Sequence, residues 1–162
     1  MNIARPDALA AIKTALARRP IALLTGPRQC GKTTLARKFM DPDALNYFDL
    51  EDPSSLARLQ EPMTTLSSLT GFVVIDEVQR VPDVLLAIKQ RVDQDPSPGQ
   101  FLLTGSANIL TAPRSTPDVF RGRRSPHWSR SVAQQVVSPR AFASIEVCAS
   151  PGQTEGRARG HI

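Results

Sequence analysis

The chain has little cysteine, no long apolar run and, over most of its length, no excess of charge of either sign. Its two cysteines, Cys30 and Cys148, are too few for a disulfide framework, and neither has a second thiol or a histidine at metal-ligand spacing. A structural disulfide or zinc site is therefore not expected. No window approaches the ~18 consecutive apolar residues of a membrane helix. The N-terminal stretch "ALAAIKTALA" carries Lys13 and follows Asp7, which the apolar core of a secretory leader does not tolerate. These absences read as a cytoplasmic protein without membrane contact. Residues 1–112 hold 12 basic and 12 acidic side chains, so the whole formal charge of +5 lies in residues 113–162.

That second stretch lacks leucine, lysine and tyrosine but has eight arginines, five prolines and seven serines. Its apolar residues, among them Phe120, Trp128, Val136 and Val137, follow no sustained period of 2 or 3.6, so no element is assigned to it. We expect a boundary near Pro113: a domain over 1–112 and a basic, Arg/Pro/Ser-rich, disordered tail over 113–162. Such a tail would leave the sheet without an edge strand. No internal repeat is visible in either part.

What is present in residues 1–112 alternates as parallel β/α units do. Leu9, Ile12 and Leu16 share one helical face, and "RRP" closes that helix before the short apolar strand "IALLTG". A helix through "KTTLARKFM" follows and stops at Asp41-Pro42. "LNYFDL" reads as a strand and "PSSLARLQ" as a helix started by Pro53. "FVVI" is apolar throughout, as a strand covered on both faces would be. "VPDVLLAIKQRV" is a helix with Pro82 near its first turn and Val84, Ile88 and Val92 spaced by four. "SPG" then turns the chain into the strand "QFLLTG".

Between "IALLTG" and its helix stand Gly26-Pro27-Arg28-Gln29-Cys30-Gly31-Lys32-Thr33, a match to G-x-x-x-x-G-K-[ST] in the strand–loop–helix context this pattern needs. The glycines let backbone N–H groups converge on phosphate oxygens, and the helix N-terminus adds its dipole. Lys32 would bridge the β- and γ-phosphates and the Thr33 hydroxyl would reach Mg²⁺, with Thr34 completing the loop. Partner carboxylates decide whether a nucleotide is hydrolysed or only held. In "FVVIDEVQR", Asp76 emerges at the carboxyl end of a strand, where open α/β sheets place ligands, and can bind Mg²⁺ through water. Glu77 can orient or deprotonate an attacking water. Thr104, Ser106 and Asn108 at the end of "FLLTGSAN" either sense the γ-phosphate or form an ordinary Thr-Gly-Ser turn.

Taken in order, "GPRQCGKTTLARKF", "FVVIDEVQRVPDVLLAIKQ" and "FLLTGSANIL" resemble the bacterial and archaeal AAA-type ATPases whose proteins usually end in a separate, nuclease-like domain of unknown function. The resemblance covers residues 1 to about 114 and extends to Arg28 and Gln29 within the loop and Gln79-Arg80 after the acidic pair. It implies an α/β P-loop fold with the "FLLTG" strand between the "IALLTG" and "FVVI" strands, ATP and Mg²⁺ as ligands, and Thr104, Ser106 or Asn108 as the γ-phosphate sensor. After Arg114 the sequence leaves the family's pattern, Gly122-Arg123 apart, as a truncated or out-of-frame end would. That departure puts in doubt a fifth strand, a lid and any arginine finger supplied to a neighbour.

Three functions follow from these residues. The first is Mg²⁺-dependent ATP hydrolysis, with a homo-oligomer as a compatible assembly; the second is nucleotide binding without turnover. The third is nucleic-acid binding through Arg114, Arg121, Arg123, Arg124 and Arg130 with Trp128 as a stacking residue, against a solvated tail that binds nothing. Cys30, at a helix start beside Lys32 and Arg28, is either a lowered-pKa thiol that ATP would shield or a small residue that fits the turn.

Overall fold

The computed structural model describes residues 6–106 and 141–147. Five helices and five strands are laid out as α1 (Pro6–Arg18), β1 (Ile21–Thr25), α2 (Lys32–Ala36), β2 (Tyr47–Asp49), α3 (Pro53–Arg58), α4 (Pro62–Ser68), β3 (Val73–Asp76), α5 (Val84–Gln94), β4 (Phe101–Gly105) and β5 (Phe142–Glu146), with a 3-10 turn at Val78–Arg80. The strands form one sheet in the order β2-β3-β4-β1-β5. Every pairing is parallel, so all five carboxyl ends lie along one edge. β4 sits between β1 and β3, the arrangement the family resemblance implies.

Strand alternation sends successive side chains to opposite faces. Ile21, Leu23, Phe48, Val73, Ile75, Phe101 and Leu103 go to one face, where Leu59, Leu66, Val84, Ile88 and Val92 of the α3–α5 side cover them. Ala22, Leu24, Tyr47, Val74 and Leu102 go to the other, under Ile12 of α1 and Leu35 and Ala36 of α2. Both faces are dry, which is why β1, β3 and β4 are buried along their whole length and read as continuous apolar runs. The spacing of Val84, Ile88 and Val92 holds as expected: all three are buried on α5.

Three local readings need correction. α2 ends at Ala36 rather than running to Met40, because Lys38 and Phe39 donate to Leu35 and Ala36 in tighter i to i−3 bonds at 3.1 and 2.9 Å. α4 has no counterpart among the expected elements, since "PMTTLSS" buries only Leu66 and shows no helical stripe; Pro62 at its first turn starts it. The third concerns the edge of the sheet. Residues 142–146 pair in parallel with β1, Ile21 opposite Phe142 and Thr25 opposite Glu146, so the sheet has the edge strand that the composition of 113–162 argued against. An edge strand needs one paired neighbour and one apolar contact face, and "FASIEV" supplies both within a stretch whose average composition hides it. The rest of the expected tail, with the boundary at Pro113, lies outside the described residues.

Candidate functional site

The site is built where the carboxyl ends of β1, β3 and β4 meet. β1 delivers its chain into the loop 26–31, whose last residue, Gly31, has φ +89° and caps α2. A side chain there would meet open space, so it is the left-handed backbone, and not crowding, that favours glycine. Gln29 is also at positive φ (63°), a conformation that a residue with a side chain adopts at a cost. Pro27, Arg28 and Gln29 are exposed, Gly26 is buried, Cys30 and Thr33 are half-buried and Thr34 is exposed.

Lys32 is the unusual residue of the loop. Opening α2, it is only 4% exposed, and its ammonium folds back on the loop to donate to the carbonyls of Gly26 at 3.2 Å and Pro27 at 2.8 Å, with Cys30 Sγ at 4.0 Å. Among the described residues no carboxylate comes within 4.0 Å of it. Buried cations are ordinarily paired with an anion, because desolvation is expensive. This one has two carbonyl dipoles and lies in a loop whose backbone N–H groups and helix terminus favour a negative ligand. The donor set fits a phosphate.

The opposite wall is acidic and already wired. Asp76, 1% exposed, accepts the Thr104 hydroxyl on Oδ1 and the Tyr47 hydroxyl on Oδ2 at 3.4 Å. The Thr104 oxygen in turn accepts the backbone N–H of Glu77 at 3.1 Å. One buried hydroxyl thus ties β4 to both carboxylate-bearing residues. Burial, followed by the negative charge of Asp76, pushes the Tyr47 phenol up to about 12, against a smaller opposing effect of a hydrogen bond from Arg37. Glu77 itself adopts left-handed backbone angles (φ 56°, ψ 46°) at the start of the 3-10 turn, and its Oε2 accepts the side-chain amide of Gln79. Each oxygen of Asp76 keeps a lone pair beyond its hydrogen bond, and the half-buried Thr33 hydroxyl stands at the start of α2. That is a donor set of the kind Mg²⁺ uses, with few protein ligands and the remainder from water and phosphate. No cluster of three His, Cys, Asp or Glu side chains able to cage a metal exists among the described residues.

Residues 18–131 match the model of a protein family described as an AAA domain. The chain belongs to that family. Over 108 residues this AAA domain is 46% identical to an uncharacterized protein of Mycobacterium bovis, and equally to one of Mycobacterium tuberculosis. Each match covers 67% of this chain and 24% of the relative, so the chain spans about a quarter of the length of the curated relatives it matches. Family membership supports nucleotide binding by the domain. Among the described residues no helix is long and apolar enough to cross a membrane.

The AAA domain brings Gly26, Gly31, Lys32, Thr33, Asp76, Glu77, Thr104 and Ser106 to the one sheet edge. Thr104, weighed as a γ-phosphate sensor or a turn residue, spends its single O–H on Asp76. Ser106, half-buried just past β4, stays at the open end of that strand. Asn108, Cys148, Trp128 and the arginines at 114, 121, 123, 124 and 130 lie outside the described residues. Tyr47 is the site residue that the sequence did not reveal. Its signal lay in "LNYFDL": alternation sends Tyr47 to the face opposite Phe48, and parallel pairing with β3 sets Asp49 level with Asp76.

Proposed function

We propose that this AAA domain binds ATP with Mg²⁺ and hydrolyses it. The observation that carries the reading is Lys32: a buried ammonium that meets two loop carbonyls and the Cys30 sulfur but no carboxylate among the described residues, at a helix start, on a sheet edge that also holds Asp76 and Glu77. Phosphate arriving in the loop gives Lys32 an anion, and the loop residues Gly26 to Thr34, Pro27 apart, supply the surrounding N–H donors. Thr33 and Asp76 would hold Mg²⁺, which when bound neutralises charge on the phosphate oxygens. Thr104 and Tyr47 fix the Asp76 carboxylate, and Glu77 orients water and takes its proton. Ser106 or Asn108 would sense the γ-phosphate.

Phosphate release by the wild-type chain, compared with a Glu77→Gln variant, tests this. The amide keeps the shape of Glu77 but cannot accept a proton, so binding should persist while kcat falls by roughly 10²- to 10⁴-fold. Equal turnover in the two chains would sink the assignment of Glu77. Calorimetric titration of ATP with and without Mg²⁺ tests binding separately. A second reading, nucleotide binding without turnover, is favoured by the Gln79 amide on Glu77, if that contact restrains the carboxylate from water.

A further inference from the structure

Gln79 makes a costly arrangement. Its side-chain N–H donates to Glu77 Oε2, while its Oε1 is shielded from solvent with no hydrogen-bond partner among the described residues. A buried acceptor left without a donor is rare and requires an explanation. Turning the amide over would not relieve it, because that would set Oε1 against the Glu77 carboxylate. The orientation is therefore dictated by Glu77, and an acceptor goes without a donor among the described residues to keep an N–H on that carboxylate.

The backbone around Glu77 is fixed in the same sense. Its N–H is bound to Thr104, its carbonyl accepts the Arg80 N–H at 3.0 Å, and its left-handed angles are ones that a residue with a side chain adopts at a cost. Gln79 closes the last freedom, the rotation of the carboxylate. Only Oε2 is engaged in this way; Glu77 Oε1 has no partner among the described residues. We propose that Gln79 is a positioning residue which braces Glu77 so that one carboxylate oxygen is held and the other is presented to water. The inference rests on the ATPase reading above and adds to it a residue whose role is separate from binding.

Gln79→Met tests it, because methionine keeps the length and packing of the side chain while removing both the N–H and the orphaned Oε1. A brace that the fold sustains at a cost predicts an unusual pair of results. The melting temperature of the nucleotide-free variant should equal or exceed that of the wild type, while kcat drops ~10- to 100-fold and KM for ATP stays within about twofold. A residue that merely packs would leave both the melting temperature and kcat unchanged, since methionine preserves the packing. Unchanged kcat overturns the proposal, and so does a raised kcat, which would make Gln79 a restraint. A third arm needs no turnover: the Gln79 side-chain amide resonance, identified by its loss in Gln79→Met, should move in Glu77→Ala without nucleotide. An unmoved resonance overturns the inference whatever the ATPase result. A wild-type chain that binds ATP and releases no phosphate, with the resonance moving, counts against the ATPase reading and, through it, against the brace in favour of the restraint.

Discussion

The two loops that face each other across β4 solve the same problem in opposite ways. Both follow fully buried strands, and both hold a non-glycine residue at positive φ, Gln29 in one and Glu77 in the other. Each presents a buried charge. The first loop leaves its charge half-finished: Lys32 has carbonyl oxygens but no anion among the described residues. The second completes its charge with protein: Asp76 has a hydroxyl on each oxygen. A charge awaiting a ligand and a charge held ready for one are different devices, and they should fail differently.

The largest expected break is at Lys32. Lys32→Met removes charge-assisted contacts to phosphate, so ATP affinity should fall on the order of 10²-fold or more. It also removes a buried cation without a counter-ion, so the nucleotide-free chain should unfold in urea with a stability equal to the wild type or higher by ~1 kcal/mol. Loss of stability in that variant would mean that Lys32 is already well paired, and the contrast between the loops would disappear.

The acidic wall should behave in the reverse sense. Thr104→Val keeps the shape of the residue but strips the donor from Asp76 and the acceptor from Glu77 N–H, at a cost of about 2 kcal/mol in folding stability. Urea unfolding measures it directly. A change near zero would show that water replaces the hydroxyl and that the wall is not prewired.

Tyr47 sharpens the same point with pH. It is the chain's one tyrosine, so its ultraviolet titration is unambiguous: tyrosinate should form near pH 12 in the folded protein, against the ordinary value of 10.0. The folded state then holds the proton more tightly than the unfolded one. Its stabilising contribution is full below pH 10.0 and is lost as pH rises toward about 12. Tyr47→Phe should flatten that alkaline limb of the stability curve. An ordinary titration near 10 in the folded chain would show that Tyr47 is neither buried nor set beside Asp76.

The smallest effect belongs to a charge on the exposed side of the second loop. Arg80 pairs with Glu51 at 3.2 Å, but both side chains are substantially exposed, so Arg80→Ala should change stability by less than about 1 kcal/mol. A larger loss would show that the 3-10 turn behind Glu77 depends on this surface pair.

What could be read in advance follows the same division. The Lys32 loop is contiguous in sequence, so a single run from Gly26 to Thr33 carries its whole geometry and the motif is visible without a fold. The acidic wall is assembled from three strands. Asp76 and Glu77 announce themselves by following "FVVI", but the hydroxyls that serve Asp76 come from Tyr47 on β2 and Thr104 on β4, and only strand order brings them together. The helical stripes of α1 and α5 were legible because each sets several apolar side chains at helical spacing against the core: Leu9, Ile12 and Leu16 on α1, and Val84, Ile88 and Val92 on α5. α4 was not, because Leu66 is the one residue it buries and no apolar partners at helical spacing accompany it. β5 was obscured for a different reason: a strand of 5 residues is too short to register against a long stretch of arginine, serine and proline.

β1 has a place in the sheet with consequences for how the molecule comes into being. Ile21 lies opposite Phe101 on one side and Phe142 on the other, so the strand that launches the phosphate loop gains neither neighbour until most of the described chain exists. Pairings between such distant segments require the loop-closure entropy to be met before any contact rewards it, and they slow folding accordingly. During synthesis the apolar run "IALLTG" must wait unpaired while α2 through α5, β2 and β3 are made after it, a window in which chaperones and aggregation compete for it. In refolding, the ability to bind nucleotide should return with the slowest phase and not with the early gain of helix: the loop is among the first parts of this protein to be written and among the last to be finished.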